Sequence, residues 1–81
     1  MEENIIFIGG KNLEVYLEAV LFKIERGPVH VKTRGKYIYE AVKLCEYLSR
    51  TKKIRIESVK IGSSVVEKNI TIPEIEIVLI K

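Results

Sequence analysis

The chain has 81 residues, 47% of them apolar and 31% charged, with 14 Lys and Arg against 11 acids for a formal charge of +3. Such a length carries one domain, read as residues 1–81, whose modest burial favours self-association. No run approaches the ~20 apolar residues of a membrane span, and Glu2 and Glu3 stand where a secretory signal would be cationic. A single cysteine, Cys45, excludes an internal disulfide and fits a reducing cytoplasm.

Residues 4 to 8, Asn-Ile-Ile-Phe-Ile, form a short apolar run closed by Gly9 and Gly10 and read as a strand buried on both faces. Asn12 is placed to cap a helix, with Glu14 favourable to the dipole of its first turn. Leu13, Tyr16, Leu17, Val20, Leu21 and Ile24 recur at helical spacing until Gly27-Pro28 stops the helix. Val29, Val31 and Thr33 alternate with His30 and Lys32 as a second strand. From Lys36 to Arg50 the helical period returns through Ile38, Ala41, Val42, Cys45 and Leu48.

Two strand-like stretches follow, about residues 53 to 62 and 71 to 80. In the first, apolar parity slips from Ile54 and Ile56 to Val59 and Ile61, which predicts a bulge or bend near Ser58. Pro73 places the start of the second outside the central ladder. Glu67-Lys68-Asn69 is turn-like, so a projecting hairpin is expected, with Lys68 its only basic residue. The order β-α-β-α-β-β predicts an α+β fold whose first two strands run parallel through a right-handed crossover.

That topology opens two loops on one sheet edge, Gly9-Gly10-Lys11-Asn12 and Thr33-Arg34-Gly35-Lys36. Lys11, Lys32, Arg34 and Lys36 would then converge with two helix N-termini on a patch suited to phosphate oxygens. Gly35 permits close approach of backbone to a ligand, and Arg34 can grip phosphate in bidentate fashion. The first loop lacks P-loop spacing, since Asn12 follows the lysine. Lys32, on a strand, is also read as an ordinary outward lysine.

The ordered text Asn4-Ile5-Ile6-Phe7-Ile8-Gly9 leading to Lys11, Tyr16 to Leu21, Val31-Lys32-Thr33-Arg34-Gly35-Lys36, Ala41-Val42, Lys60-Ile61-Gly62-Ser63 and Ile75-Glu76-Ile77-Val78-Leu79 covers nearly the whole chain. It resembles the Alba family of archaeal DNA- and RNA-binding chromatin proteins. The resemblance implies a two-layer sandwich like the C-terminal domain of translation initiation factor 3, with a mixed four-stranded sheet. It further implies a homodimer, with dimer-to-dimer assembly on nucleic acid. Binding to double-stranded DNA and RNA would be independent of sequence, in the cytoplasmic nucleoid.

By position, the resemblance implies nucleic-acid contacts from Lys11, Arg34 and Lys36, a tyrosine near the same surface at Tyr16, and a hairpin arm lying along the minor groove. Many members carry two adjacent lysines after the first strand, where this chain has Gly10 and Lys11, so a switch by lysine acetylation is not expected. Members often place a Phe near the end of the second helix, where this chain has Thr51. Spreading along DNA is therefore expected to be weaker or to use another surface. All 11 acids are Glu, Asp and Gln are absent and Ile is abundant, a bias like that of thermophile proteomes.

Other features read as structural. Arg50, Lys52, Lys53 and Arg55 complement a helix C-terminus, His30 lacks the partners of a metal site, and Cys45 falls on a core-facing arc without a partnering base. No carboxylate pair or nucleophile points to an enzyme, and no cofactor is expected. Tyr37, Leu44 and Leu48, with the last two strands, are assigned to dimerisation, and Val15, Ala19 and Phe22 to contact between dimers or with another protein. Two alternatives stand beside chromatin binding: an RNA-directed role, since small protein subunits of ribonuclease P resemble the same family, and a protein-interaction module.

Overall fold

In the computed structural model, which describes residues 4–81, the chain runs through β1 (Ile5–Phe7), α1 (Leu13–Lys23), a 3-10 turn (Ile24–Arg26) and β2 (Val29–Arg34). A second 3-10 turn (Gly35–Tyr37), α2 (Ile38–Thr51), β3 (Arg55–Glu67) and β4 (Ile70–Ile80) follow. The reading of Glu2 and Glu3 lies outside the described residues. The strands make one mixed sheet in the order β1-β2-β4-β3, with β1 parallel to β2 and the other pairs antiparallel. This is the expected α+β architecture.

Strand alternation builds the core. Ile6, Val29, Val31, Ile75, Ile77 and Leu79 share the helix-covered face of the sheet, where they meet Tyr16 and Val20 of α1, Ile24 just after it, and Ala41, Leu44, Cys45 and Leu48 of α2. Each fully buried aliphatic side chain contributes about 1.5–3 kcal/mol relative to leaving it in water. Asn4 ties the start of β1 to the end of α1, its Nδ2 donating to the Lys23 carbonyl at 2.8 Å.

Three expectations are corrected by this packing. Strand β1 is not buried on both faces, because the helices cover only the face of Ile6 and leave Phe7, on the other, 69% exposed. On α2 the buried stripe is Ala41, Leu44, Cys45 and Leu48, so Leu44 and Leu48 serve the protomer's own core and are not a partner surface. Val42, expected inward, is turned one position round the helix and is exposed with Tyr39 and Tyr47.

The final hairpin follows the sequence in its irregularity and exceeds it in length. Ile56 pairs with Leu79 and Ser58 with Val78, so Glu57 is the extra residue of a bulge, which moves the apolar parity of β3 as expected. A second register shift falls between Val65 and Glu67. Pairing with β2 ends at Arg34 and Glu74, so Pro73 is the first residue of β4 beyond that ladder. Residues 63–72 run on as a two-stranded arm to the turn at Lys68 and Asn69, where Asn69 takes a φ of 60°.

Candidate nucleic-acid interface

The two basic loops are rooted side by side. The Ile8 N–H donates to the Lys32 carbonyl at 2.9 Å, and the buried Thr33 hydroxyl donates to the Ile8 carbonyl at 2.8 Å. These bonds hold the carboxyl ends of β1 and β2 together, and ligands of open α/β sheets usually lie at such ends. Because β4 runs antiparallel to β2, the hairpin arm leaves from this same end of the sheet. Lys11, Asn12, Arg34, Lys36 and Lys68 are all exposed there, and Lys32 is half-buried on the face away from the helices.

The first loop is held by a tyrosine. The Gly9 and Lys11 N–H groups donate to the Tyr16 hydroxyl at 2.9 and 3.2 Å. Tyr16 is only 7% exposed, so the residue expected near the contact surface is a buried clamp that shapes the loop. Those two amides are consequently engaged within the protein. Asn12 sits at the N-cap position with extended backbone, yet its side chain makes no capping hydrogen bond. Its carbonyl accepts from the Val15 N–H at 3.0 Å.

The second loop tightens into its 3-10 turn through Gly35, whose φ of 66° is a left-handed value that other residues rarely adopt. Lys36 Nζ stands 5.4 Å from the centre of the Tyr37 ring. Tyr37 in turn reaches the first loop beside Gly10.

A groove of about 790 Å³ begins at this second loop and crosses the sheet face away from the helices. Phe7, Lys32, Arg34, Lys36 and Lys60 line it together with Glu74 and Glu76. Phe7 and Lys60 did not enter the set of candidate contacts read from the sequence. Alternation alone could have placed Lys60 opposite Ile61, but only the strand order shows that Phe7 is uncovered.

Two carboxylates temper the charge of this face. His30 Nδ1 lies 2.6 Å from Glu76, and Ser64 Oγ donates to Glu74 at 2.6 Å. The hydrogen bond from His30, followed by the nearby charges of Lys32, His30 and Lys60, outweighs desolvation and holds the Glu76 carboxyl below its ordinary range. Elsewhere, burial pushes the Cys45 thiol up to about 12, which leaves it protonated and inert at neutral pH. Among the described residues, no group of three or more His, Cys, Asp or Glu could hold a metal ion, and no helix is long and apolar enough to cross a membrane.

The sheet order, the paired loops and the long hairpin define a class of small α+β proteins represented among solved structures. Alba from Thermoplasma volcanium is 28% identical, with a TM-score of 0.83 over 96% of this chain and 100% of that one. ALBA1 from Trypanosoma brucei shares the fold at a TM-score of 0.87 and 21% identity, over 100% of this chain and 71% of that one. No protein-family model matches the sequence, and no curated protein matches it. Both of these structural neighbours are Alba proteins, and the likeness supports the Alba family, whose members in general bind nucleic acids.

Proposed function

We propose that this protein binds double-stranded DNA, and RNA, through backbone phosphates without sequence preference, as a homodimer associated with the nucleoid. The observation that carries the reading is the joint rooting of the two basic loops, which gathers Lys11, Arg34 and Lys36 at the end of the sheet from which the arm projects. Neutralising phosphates there releases condensed counterions, and contacts confined to phosphate carry no sequence information. Lys68 at the arm tip would lie along a groove.

Dimerisation is supported by apolar side chains that the protomer leaves uncovered. Ile56, Val59 and Ile61 of β3 point to the helix side of the sheet yet remain exposed, as does Val42 of α2. Grouped exposed aliphatic residues of this kind mark a partner surface. They replace Leu44 and Leu48 as the residues proposed for the interface.

An RNA-directed role is the second reading. It is favoured by the weak charge of the arm, where Glu67 neighbours Lys68. Mobility shifts of duplex DNA and of structured RNA across a salt series test both. The DNA reading expects log affinity to fall by about 0.9 per log unit of salt for each duplex phosphate neutralised, and Arg34→Ala to lower that slope by about one unit on unrelated sequences. Affinity independent of salt, or unchanged in Arg34→Ala, would overturn it. Strong preference for the structured RNA would select the second reading.

A further inference from the structure

The face of the sheet turned away from the helices is built unlike the surface of an inert layer. Phe7, on edge strand β1, is 69% exposed beside Lys32. In register across the sheet come Lys32 and Glu76, then Lys60 on β3, with Arg34 and Lys36 at the loop end of the same groove. This large exposed aromatic ring, set in one groove with four basic side chains, does not serve the core. The apolar surface proposed for dimerisation lies on the opposite, helix side, so pairing of protomers would leave this face open.

We propose that this trough binds an unpaired stretch of RNA, with one base stacked on the Phe7 ring and the flanking phosphates held by Lys32, Lys60, Arg34 and Lys36. The inference goes beyond duplex binding and rests on that reading only in using Arg34 and Lys36 as a rim. Duplex DNA presents its bases already stacked on one another, so an exposed ring on a sheet gains nothing from it. Unpaired bases can splay onto such a ring, and stacking tolerates any base because each has a π-face. Four strands at a spacing of about 4.8 Å make the trough roughly 14 Å wide, room for about two or three nucleotides.

The acids in the trough choose between the two kinds of single strand. Glu74 and Glu76 each have one carboxylate oxygen engaged, by Ser64 and by His30 at 2.6 Å. The second oxygen of each is an acceptor on the groove wall. A ribose 2′-hydroxyl donates to such an acceptor and deoxyribose cannot. Four cations neutralise the phosphates while these carboxylates meet the sugar.

Fluorescence anisotropy with labelled oligouridylate of about ten nucleotides, oligodeoxyuridylate of equal length, and duplex DNA at one low salt concentration tests the proposal. The expected result is that Phe7→Ala weakens oligouridylate binding by about 5- to 100-fold, Phe7→Tyr retains it, and duplex affinity stays within about twofold. Because Phe7 is largely exposed, the melting temperature should be unchanged, which separates this loss from misfolding. Oligouridylate should bind several-fold more tightly than its deoxy counterpart. Equal loss on duplex and oligouridylate, no loss on either, or equal affinity for the ribo and deoxy strands would overturn the proposal. A wild-type protein that binds duplex but not oligouridylate sinks this inference and leaves the duplex reading standing. One that binds oligouridylate alone, with the Phe7 dependence, supports it and sinks the duplex reading.

Discussion

Tyr37 closes over Gly10, joining the two basic loops: a β-carbon added to Gly10 would lie 3.3 Å from the Tyr37 hydroxyl. That contact is tight but falls on the tip of a side chain able to move by a few tenths of an ångström. The position is therefore open to a larger residue in a way that Gly35 is not.

Gly10→Lys should fold with a stability change within about 1 kcal/mol and add one phosphate contact, steepening the salt dependence of DNA binding by about 0.9. Gly35→Ala, which must hold a φ of 66°, should instead lose about 1–2 kcal/mol. Urea denaturation of both variants beside mobility shifts checks the pair. A Gly10→Lys protein with an unchanged salt slope would remove the first loop from the interface.

Tyr16→Phe deletes the acceptor for two loop amides while keeping the ring in the core. The expected cost is about 1–3 kcal/mol, with faster hydrogen exchange at Gly9 and Lys11 than at neighbouring helix amides. Were Tyr16 a contact residue, the same variant would weaken binding at unchanged stability. Measuring both quantities on one preparation decides between clamp and contact.

The Glu76 carboxyl titrates lower in the folded protein than in the unfolded chain, chiefly through the hydrogen bond with His30. Its contribution to stability is thus complete above the unfolded value, about 4.5, and is lost as pH falls through the lower folded value. Glu76→Gln should therefore show a smaller fall in melting temperature than wild type between neutral and strongly acidic pH. Parallel acid limbs for the two proteins would contradict this account.

Val42→Glu combined with Val59→Glu places charge on two exposed aliphatic positions that the protomer core does not use. The proposed dimer should dissociate, seen by sedimentation as a shift to the monomer mass, with helical circular dichroism retained. A wild-type monomer, or a variant that remains dimeric, would move or remove the proposed interface.

Much of this molecule could be read along the chain because its signals are local. Helical spacing from Leu13 to Ile24, the stop at Gly27-Pro28, the parity slip near Ser58 and the glycine-bearing loops each depend on residues within one turn or one strand. From Gly62 to Thr71 the turn-like tip at Glu67-Lys68-Asn69 marks a projecting hairpin, but only the pairing shows that Gly62, Ser63 and Ser64 continue the β3 ladder. Tyr16 shows the same dependence on distant packing. Its spacing marks the core face of α1, but its hydroxyl bonds to a loop reached only once β1 and α1 pack.

The amino-acid order by itself determined the α+β class, the succession of elements and the basic character of both strand-to-helix loops, because propensity, periodicity and turn chemistry act between near neighbours. Only the tertiary structure decided that β1 lies at an edge, that Phe7 and Lys60 share a groove with Arg34, and that Leu44 and Leu48 are buried while Val42 and Val59 are left exposed. Periodicity reveals that a face is apolar. What covers that face depends on which distant strand pairs where, a competition among hydrogen-bonded neighbours that no local pattern encodes.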